Sequence, residues 1–229
     1  MFIELRDRRK PLFRWATPLL LALCLTLSLA VLLLEPAQQI RAMYQWGVVP
    51  AQLTAWEHPD WHAGRAALRL FSAIFLHADI AHLLGNLVFL AVFGLAVERL
   101  FRGRLCLVLF LFCGVLSNLC TALLLKDTAA PIIGCSGAVS GLVGAYLYLF
   151  PRARLGLVLP LGLYFQLVRV PAQHLIGLWF LLQVLYTIAA PGLSTVAWWA
   201  HVIGFAAGFL VAVLLRPVLY RRASQNVLI

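Results

Sequence analysis

Five polar side chains stand out inside the long apolar runs of this sequence: His82 and Asn86 in one, Ser136 and Ser140 in another, and His201 in a third. A polar group within a membrane span is costly to hold there, so each is a candidate for function. Ser136 and His201 are of the types that make a nucleophile and its base. A tetrahedral intermediate would also need donors aimed at its oxyanion. His82 and Asn86, at i and i+4, share a helix face and can supply two. The backbone N–H groups of Ser136 and Cys135 are unpaired at a helix start, where the helix dipole also favours negative charge. No carboxylate shares this level, because Glu98 falls at the other end of its run and Asp79 and Asp127 lie in or beside loops. The expected arrangement is a Ser-His dyad rather than a triad.

The elements that must position these residues follow from composition. Of 229 residues, 63% are hydrophobic and 11% charged, which excludes a soluble domain with a charged surface. A span takes about 20 apolar residues, and runs at 15–34, 80–98, 105–125, 136–150, 171–190 and 196–215 qualify. The expectation is an all-α membrane protein of six transmembrane helices, the short fourth carrying Ser136. Its domain covers 15–215, between an N-terminal segment 1–14 and a tail 216–229, with an external loop over about 35–79. The stretch 156–168 is apolar but interrupted by Gly156, Pro160 and Gly162, and is expected to be interfacial or re-entrant. Trp46, Trp56 and Trp61 in the external loop suit the membrane interface.

The net charge of +10 does not point to nucleic acid, because the basic residues cluster beside apolar runs rather than along one face. With six spans, one side receives all 18 Lys and Arg except Arg41, Arg65, Arg69 and Lys126. By the positive-inside rule that side is cytoplasmic, with both termini. The basic cluster at 6–10 precedes an apolar run that continues to Leu34 with no A-x-A site, as in an uncleaved first span.

This topology brings the candidates to one depth: the even-numbered spans run inwards, and His82, Asn86, Ser136 and His201 lie near their outer ends. Counting 156–168 as a span would instead carry His201 to the opposite leaflet. Gly137, Ser140, Gly141 and Gly144 form a small-residue face on the fourth span, and His201, Gly204 and Gly208 form a matching one on the sixth. Such faces let helix backbones approach closely. The fourth span, about 15 residues, rises only ~22 Å against a hydrocarbon core of about 30 Å. A helix that starts below the outer surface leaves Ser136 at a mouth that water can reach.

Other polar residues carry less. His77 and Asp79 are expected at the interface, helping to fix the start of the second span. His58, His62 and His174 are expected at solvent or interfacial positions. The five cysteines imply neither disulfides nor a metal site; Cys106, Cys113 and Cys120 recur every seven residues as a packing face.

The assembled residues resemble the rhomboid family of intramembrane serine proteases. HLLGN at 82–86 is similar to the family's His-x-x-x-Asn, GCSG at 134–137 to its Gly-x-Ser-Gly, and AHVIGFAAG at 200–208 to its Ala-His-x-x-Gly-x-x-x-Gly. The resemblance covers roughly 44–215, including YQWGVVPAQL before the external loop. It implies a six-helix rhomboid-like bundle in which Ser136 is the nucleophile and His201 the general base. His82 and Asn86, with the amides of Ser136 and Cys135, would form the oxyanion hole. The implied reaction is hydrolysis of a peptide bond in or near the transmembrane helix of a membrane-protein substrate, single-pass or otherwise, that enters sideways and unwinds near a small residue. It needs no metal or cofactor, and its setting is expected to be a bacterial inner membrane. Two features depart from some members. Ser140 stands where a Tyr would stack on the histidine, and no Trp-Arg pair occurs between 35 and 79.

Other readings fit less well. A zinc protease would need HExxH, and an aspartyl one a pair of intramembrane aspartates; neither occurs. A small transporter lacks charged intramembrane residues for coupling. A catalytically silent rhomboid-like protein that binds transmembrane segments is the closest alternative, although Ser136 and His201 are both present.

Overall fold

The computed structural model describes residues 14–53, 63–161, 164–189 and 198–225. Three apolar helices in it are long enough to cross a membrane: Ile80–Leu124, Ala172–Ala189 and Trp198–Leu219. The first has 45 residues, which at 1.5 Å per residue would make ~68 Å, twice a bilayer core. It does not run straight. Arg102 has φ 61° and ψ 167°, outside helical values, and separates 95–101 from 103–124. Thr17 lies against Gly94 on one side of this break and Trp15 against Gly103 on the other, so the chain turns at Arg102.

The helices in chain order are α1 (Ala16–Leu32), α2 (Pro36–Trp46), α3 (Pro50–Leu53), α4 (Ala63–Ser72), α5 (Ile80–Phe89), α6 (Leu95–Leu124), α7 (Ser136–Leu149), α8 (Ala172–Ala189) and α9 (Trp198–Gln225). A 3₁₀ turn, Ala73–Phe75, follows α4, and one π-helical turn, Leu90–Gly94, joins α5 to α6. Trp56 and Trp61, like His58 and His62, lie outside the described residues. Trp46 and His174 are exposed.

Two helix starts show how terminal amides are satisfied. Asp79 holds an extended backbone and accepts from the His82 N–H at 2.8 Å, so it caps α5. At α1 no local residue does this. Instead Glu98, from α6 and only 2% exposed, accepts the N–H groups of Trp15 (2.9 Å), Ala16 (2.8 Å) and Thr17 (2.9 Å). A buried carboxylate is thereby paired with the unpaired donors and positive dipole end of a helix.

The stretch 156–168 corrects the expectation of an all-α chain. It belongs to an antiparallel hairpin, β1 (Arg154–Leu161) with β2 (Tyr164–Pro171), in which Arg154 faces Pro171 and Leu161 faces Tyr164. The physical reason lies in its residues. Gly156 and Pro160 spoil a helix, while Val158, Tyr164, Phe165, Val168 and Val170 favour an extended chain that pairs its polar backbone with itself.

The core is built on α7. Its Ala138, Val139, Leu142, Val143, Ala145 and Leu149 are all buried, walled by α6, α9 and the π-helical turn. Cys106 and Cys113 are buried in this core and Cys120 partly so, as small apolar groups. The exposed side chains of α6, α8 and α9 include many leucines, such as Leu123, Leu178, Leu185, Leu210 and Leu214.

Candidate active site

The turn that precedes α7 is fixed before its side chains are considered. Val48 and Ile132 exchange backbone hydrogen bonds (3.1 and 2.7 Å), and the Gly134 N–H donates to the Ala73 carbonyl at 2.9 Å. Gly134 adopts φ +115°, a conformation open to glycine, and a Cβ there would lie 2.8 Å from His82 Nε2 and 3.9 Å from Asn86 Nδ2. Both side chains of α5 therefore face the backbone just ahead of Ser136. Asn86 is buried, and its Nδ2 has no partner among the described residues.

Ser136 opens α7, half-buried between the fully enclosed Cys135 and Gly137. Among the described residues neither the Cys135 nor the Ser136 N–H meets a backbone acceptor. Ser140 turns inward on its own helix and donates to the Ser136 carbonyl at 2.7 Å.

The small-residue faces of α7 and α9 meet backbone to backbone. A Cβ on Gly204 would collide with the Gly137 carbonyl, one on Gly208 with that of Gly141, and one on Gly144 with that of Phe205. A Cβ on Gly137 would lie 3.3 Å from the Ala200 carbonyl. That seating brings the start of α7, with Ser136, alongside the start of α9, with His201. Among the described residues no hydrogen bond joins the Ser136 hydroxyl to His201. Catalytic hydrogen bonds are often loose without substrate.

The histidine is held from α8. Its Nδ1 lies 2.7 Å from Oε1 of Gln183, a residue only 7% exposed. The Trp179 ring, one turn earlier on α8, lies 6.3 Å from the imidazole at 30°, and Trp198 meets it edge-on at 5.7 Å. Tyr186 stacks on Trp198 at 4.9 Å and pins the end of α8 to the start of α9. Sequence reasoning missed Gln183, although the rule that singled out Asn86 applies equally to an amide in the apolar run of α8.

His77 requires a correction. Expected at the interface, it is 1% exposed and links three elements. Ser28 of α1 donates its only hydroxyl proton to the Phe75 carbonyl (3.0 Å), so its oxygen accepts from His77 Nδ1–H (2.7 Å). Nε2 is then bare and takes the weak Cys135 S–H at 3.5 Å. Burial, with the charge of His82 adding to it against the opposing pull of Asp79, pushes the His77 pKa down to about 3.

No group of three or more His, Cys, Asp or Glu that could hold a metal occurs among the described residues. The geometry offers a hydroxyl at a helix start, an imidazole on the helix packed against it, and amide donors converging from α5 and the turn.

The family model of the rhomboid domain matches residues 64–218, and the chain belongs to the rhomboid family. With its apolar helices, this makes it an integral membrane protein. It is similar to RHOMBOID-like protein 4 of Arabidopsis thaliana, 29% identical over 67% of this chain and 36% of that protein. It is also similar to the rhomboid protease GluP of Bacillus subtilis, 36% identical over 35% of this chain and 15% of that protein. The putative rhomboid protease YdcA of the same organism is 33% identical over 35% of this chain and 40% of its own length. The chain spans well under half the length of each of these relatives.

Proposed function

We propose that this chain is an intramembrane serine endopeptidase that cleaves peptide bonds in or near the transmembrane helices of membrane proteins. Ser136 Oγ attacks the scissile carbonyl while its proton passes to His201 Nε2. The oxyanion is met by His82, Asn86 and the amides of Cys135 and Ser136. The tetrahedral intermediate collapses to an acyl-enzyme as His201 returns the proton to the leaving amine. Water, deprotonated by the same imidazole, then releases the new carboxylate and frees Ser136. With that water as the second nucleophile, the chain's own groups serve every step.

The observation that most supports this reading is the close seating of α7 on α9, next to an asparagine amide that is buried with no partner. An unpaired buried donor is costly in a resting protein, and a transient anion is the occupant that would repay it. The names of the two Bacillus subtilis relatives support the same chemistry. We further propose six spans, α5 and the two parts of α6 on either side of Arg102 supplying the second and third. Both termini would be cytoplasmic and the site would open outwards, in a bacterial inner membrane.

The test uses purified protein in liposomes with a single-pass membrane substrate. Cleavage is expected, and both Ser136→Ala and His201→Ala abolish it. Cleavage that survives in Ser136→Ala sinks the assignment. A second reading, a catalytically silent rhomboid-like protein that binds transmembrane segments, is favoured by the missing Ser136–His201 hydrogen bond. A fluorophosphonate probe separates the two, because only the enzyme is labelled at Ser136.

A further inference from the structure

We propose that Gln183 is a positioning residue for His201, fixing by a neutral hydrogen bond the tautomer in which Nε2 is free to take the serine proton. This rests on the Ser-His reading above. An amide oxygen can only accept, so Oε1 at 2.7 Å requires the hydrogen to sit on Nδ1. The lone pair is then on Nε2. A neutral imidazole in an apolar site has no such preference built in, and with the proton on Nε2 it could not act as a base towards Ser136.

Three observations make the contact a built one. Gln183 is buried in the middle of a largely apolar helix, where an amide is expensive unless its partners are provided. Its α8 face also presents Trp179 to the same imidazole, so the ring is located by contact as well as by the hydrogen bond. On α9 itself Trp198 closes the edge. From α7, by contrast, Ser140 is turned away and bonded to its own helix, so support from that side is absent among the described residues. The acceptor carries no charge. It therefore orients the ring without the desolvation cost that a buried carboxylate would add.

The experiment compares wild type, Gln183→Met and Gln183→Glu in liposomes, reading kcat and KM on one single-pass substrate. The ¹⁵N spectrum of labelled histidine is recorded in parallel, the His201 signals being assigned by their loss in His201→Ala. Methionine keeps the volume and removes the acceptor, whereas glutamate restores one. Gln183→Met should lower kcat by roughly 10–100-fold, the range known for outer partners that orient metal-ligating histidines, with KM within twofold. The Nδ1–H tautomer should lose its dominance. Gln183→Glu should recover most of kcat and the Nδ1–H signature.

The proposal is overturned if Gln183→Met keeps kcat within twofold, if its tautomer is unchanged, or if the glutamate variant is as impaired as the methionine one. The last result would mean that Gln183 serves packing alone. The spectrum needs no turnover, so it decides the role of Gln183 even if Ser136→Ala still cleaves and the protease reading falls.

Discussion

His77 and Cys135 sit 3.5 Å apart, ring nitrogen to thiol, at the end of a relay that begins at Ser28 on α1. Cys135 supplies one of the amides proposed for the oxyanion, and Ser136 follows it. α1 thus reaches the residue just ahead of the candidate nucleophile through one buried, neutral imidazole.

That neutrality makes stability depend on pH. The folded His77 takes a proton only near its depressed value of about 3, whereas the unfolded one takes it near 6.5. Stability from this group is therefore full above pH 6.5 and is lost as pH falls towards 3, by at most ~1.4 kcal/mol per unit. Melting temperatures in detergent between pH 7 and 4 should fall more steeply for wild type than for His77→Gln. Equal slopes would show that His77 does not carry the effect.

Glu98 accepts from three amides that have no other acceptor among the described residues. Glu98→Ala should cost roughly 2–5 kcal/mol, because charge-assisted hydrogen bonds are lost and buried donors are left behind. Glu98→Gln, which keeps one carbonyl oxygen, should recover part of it. Thermal denaturation in detergent orders the three proteins, and an alanine variant as stable as wild type would contradict the capping role.

Glycines on different faces should respond with opposite signs. A Cβ at Gly204 or Gly208 would overlap a carbonyl of α7, so alanine there pushes the two helices apart, lowering the melting temperature and separating Ser136 from His201. At Gly85 and Gly177 nothing lies within 4 Å of such a Cβ, and alanine should stabilise by up to ~1 kcal/mol through helix propensity. Measuring the four variants side by side tests this; a destabilised Gly85→Ala would count against it.

Asn86 should trade stability for activity. Replacing an unpartnered buried amide by leucine of similar size removes a cost of ~1–3 kcal/mol, so Asn86→Leu should melt higher than wild type. If the amide serves the oxyanion, kcat on a single-pass substrate should fall by about 10²–10³-fold with KM little changed. A variant that is both stabler and fully active would remove Asn86 from the proposed hole.

What could be read from the residues was what an apolar background makes visible. His82, Asn86, Ser136 and His201 are conspicuous because their neighbours are leucine and valine. The spacing of Gly137, Gly141, Gly204 and Gly208 announces close helices. Gln183 was equally visible and was passed over, since an amide among leucines gives no sign of which neighbour it will meet. His77 was hidden for another reason. Its partners Ser28 and Cys135 lie 49 and 58 positions away, and no local pattern predicts a contact made only after the chain has folded back. At 156–168 apolarity outweighed the glycine, proline and β-branched residues that favour the hairpin.

The carboxylate that completes α1 lies 81 to 83 residues downstream of the amides it receives. α1 therefore cannot be completed until synthesis has passed Glu98. Until Glu98 has been synthesised and has folded back, the amides of Trp15, Ala16 and Thr17 must borrow water or lipid headgroups. The start of α1 and the Glu98 turn of α6 thus mature together in biogenesis rather than helix by helix.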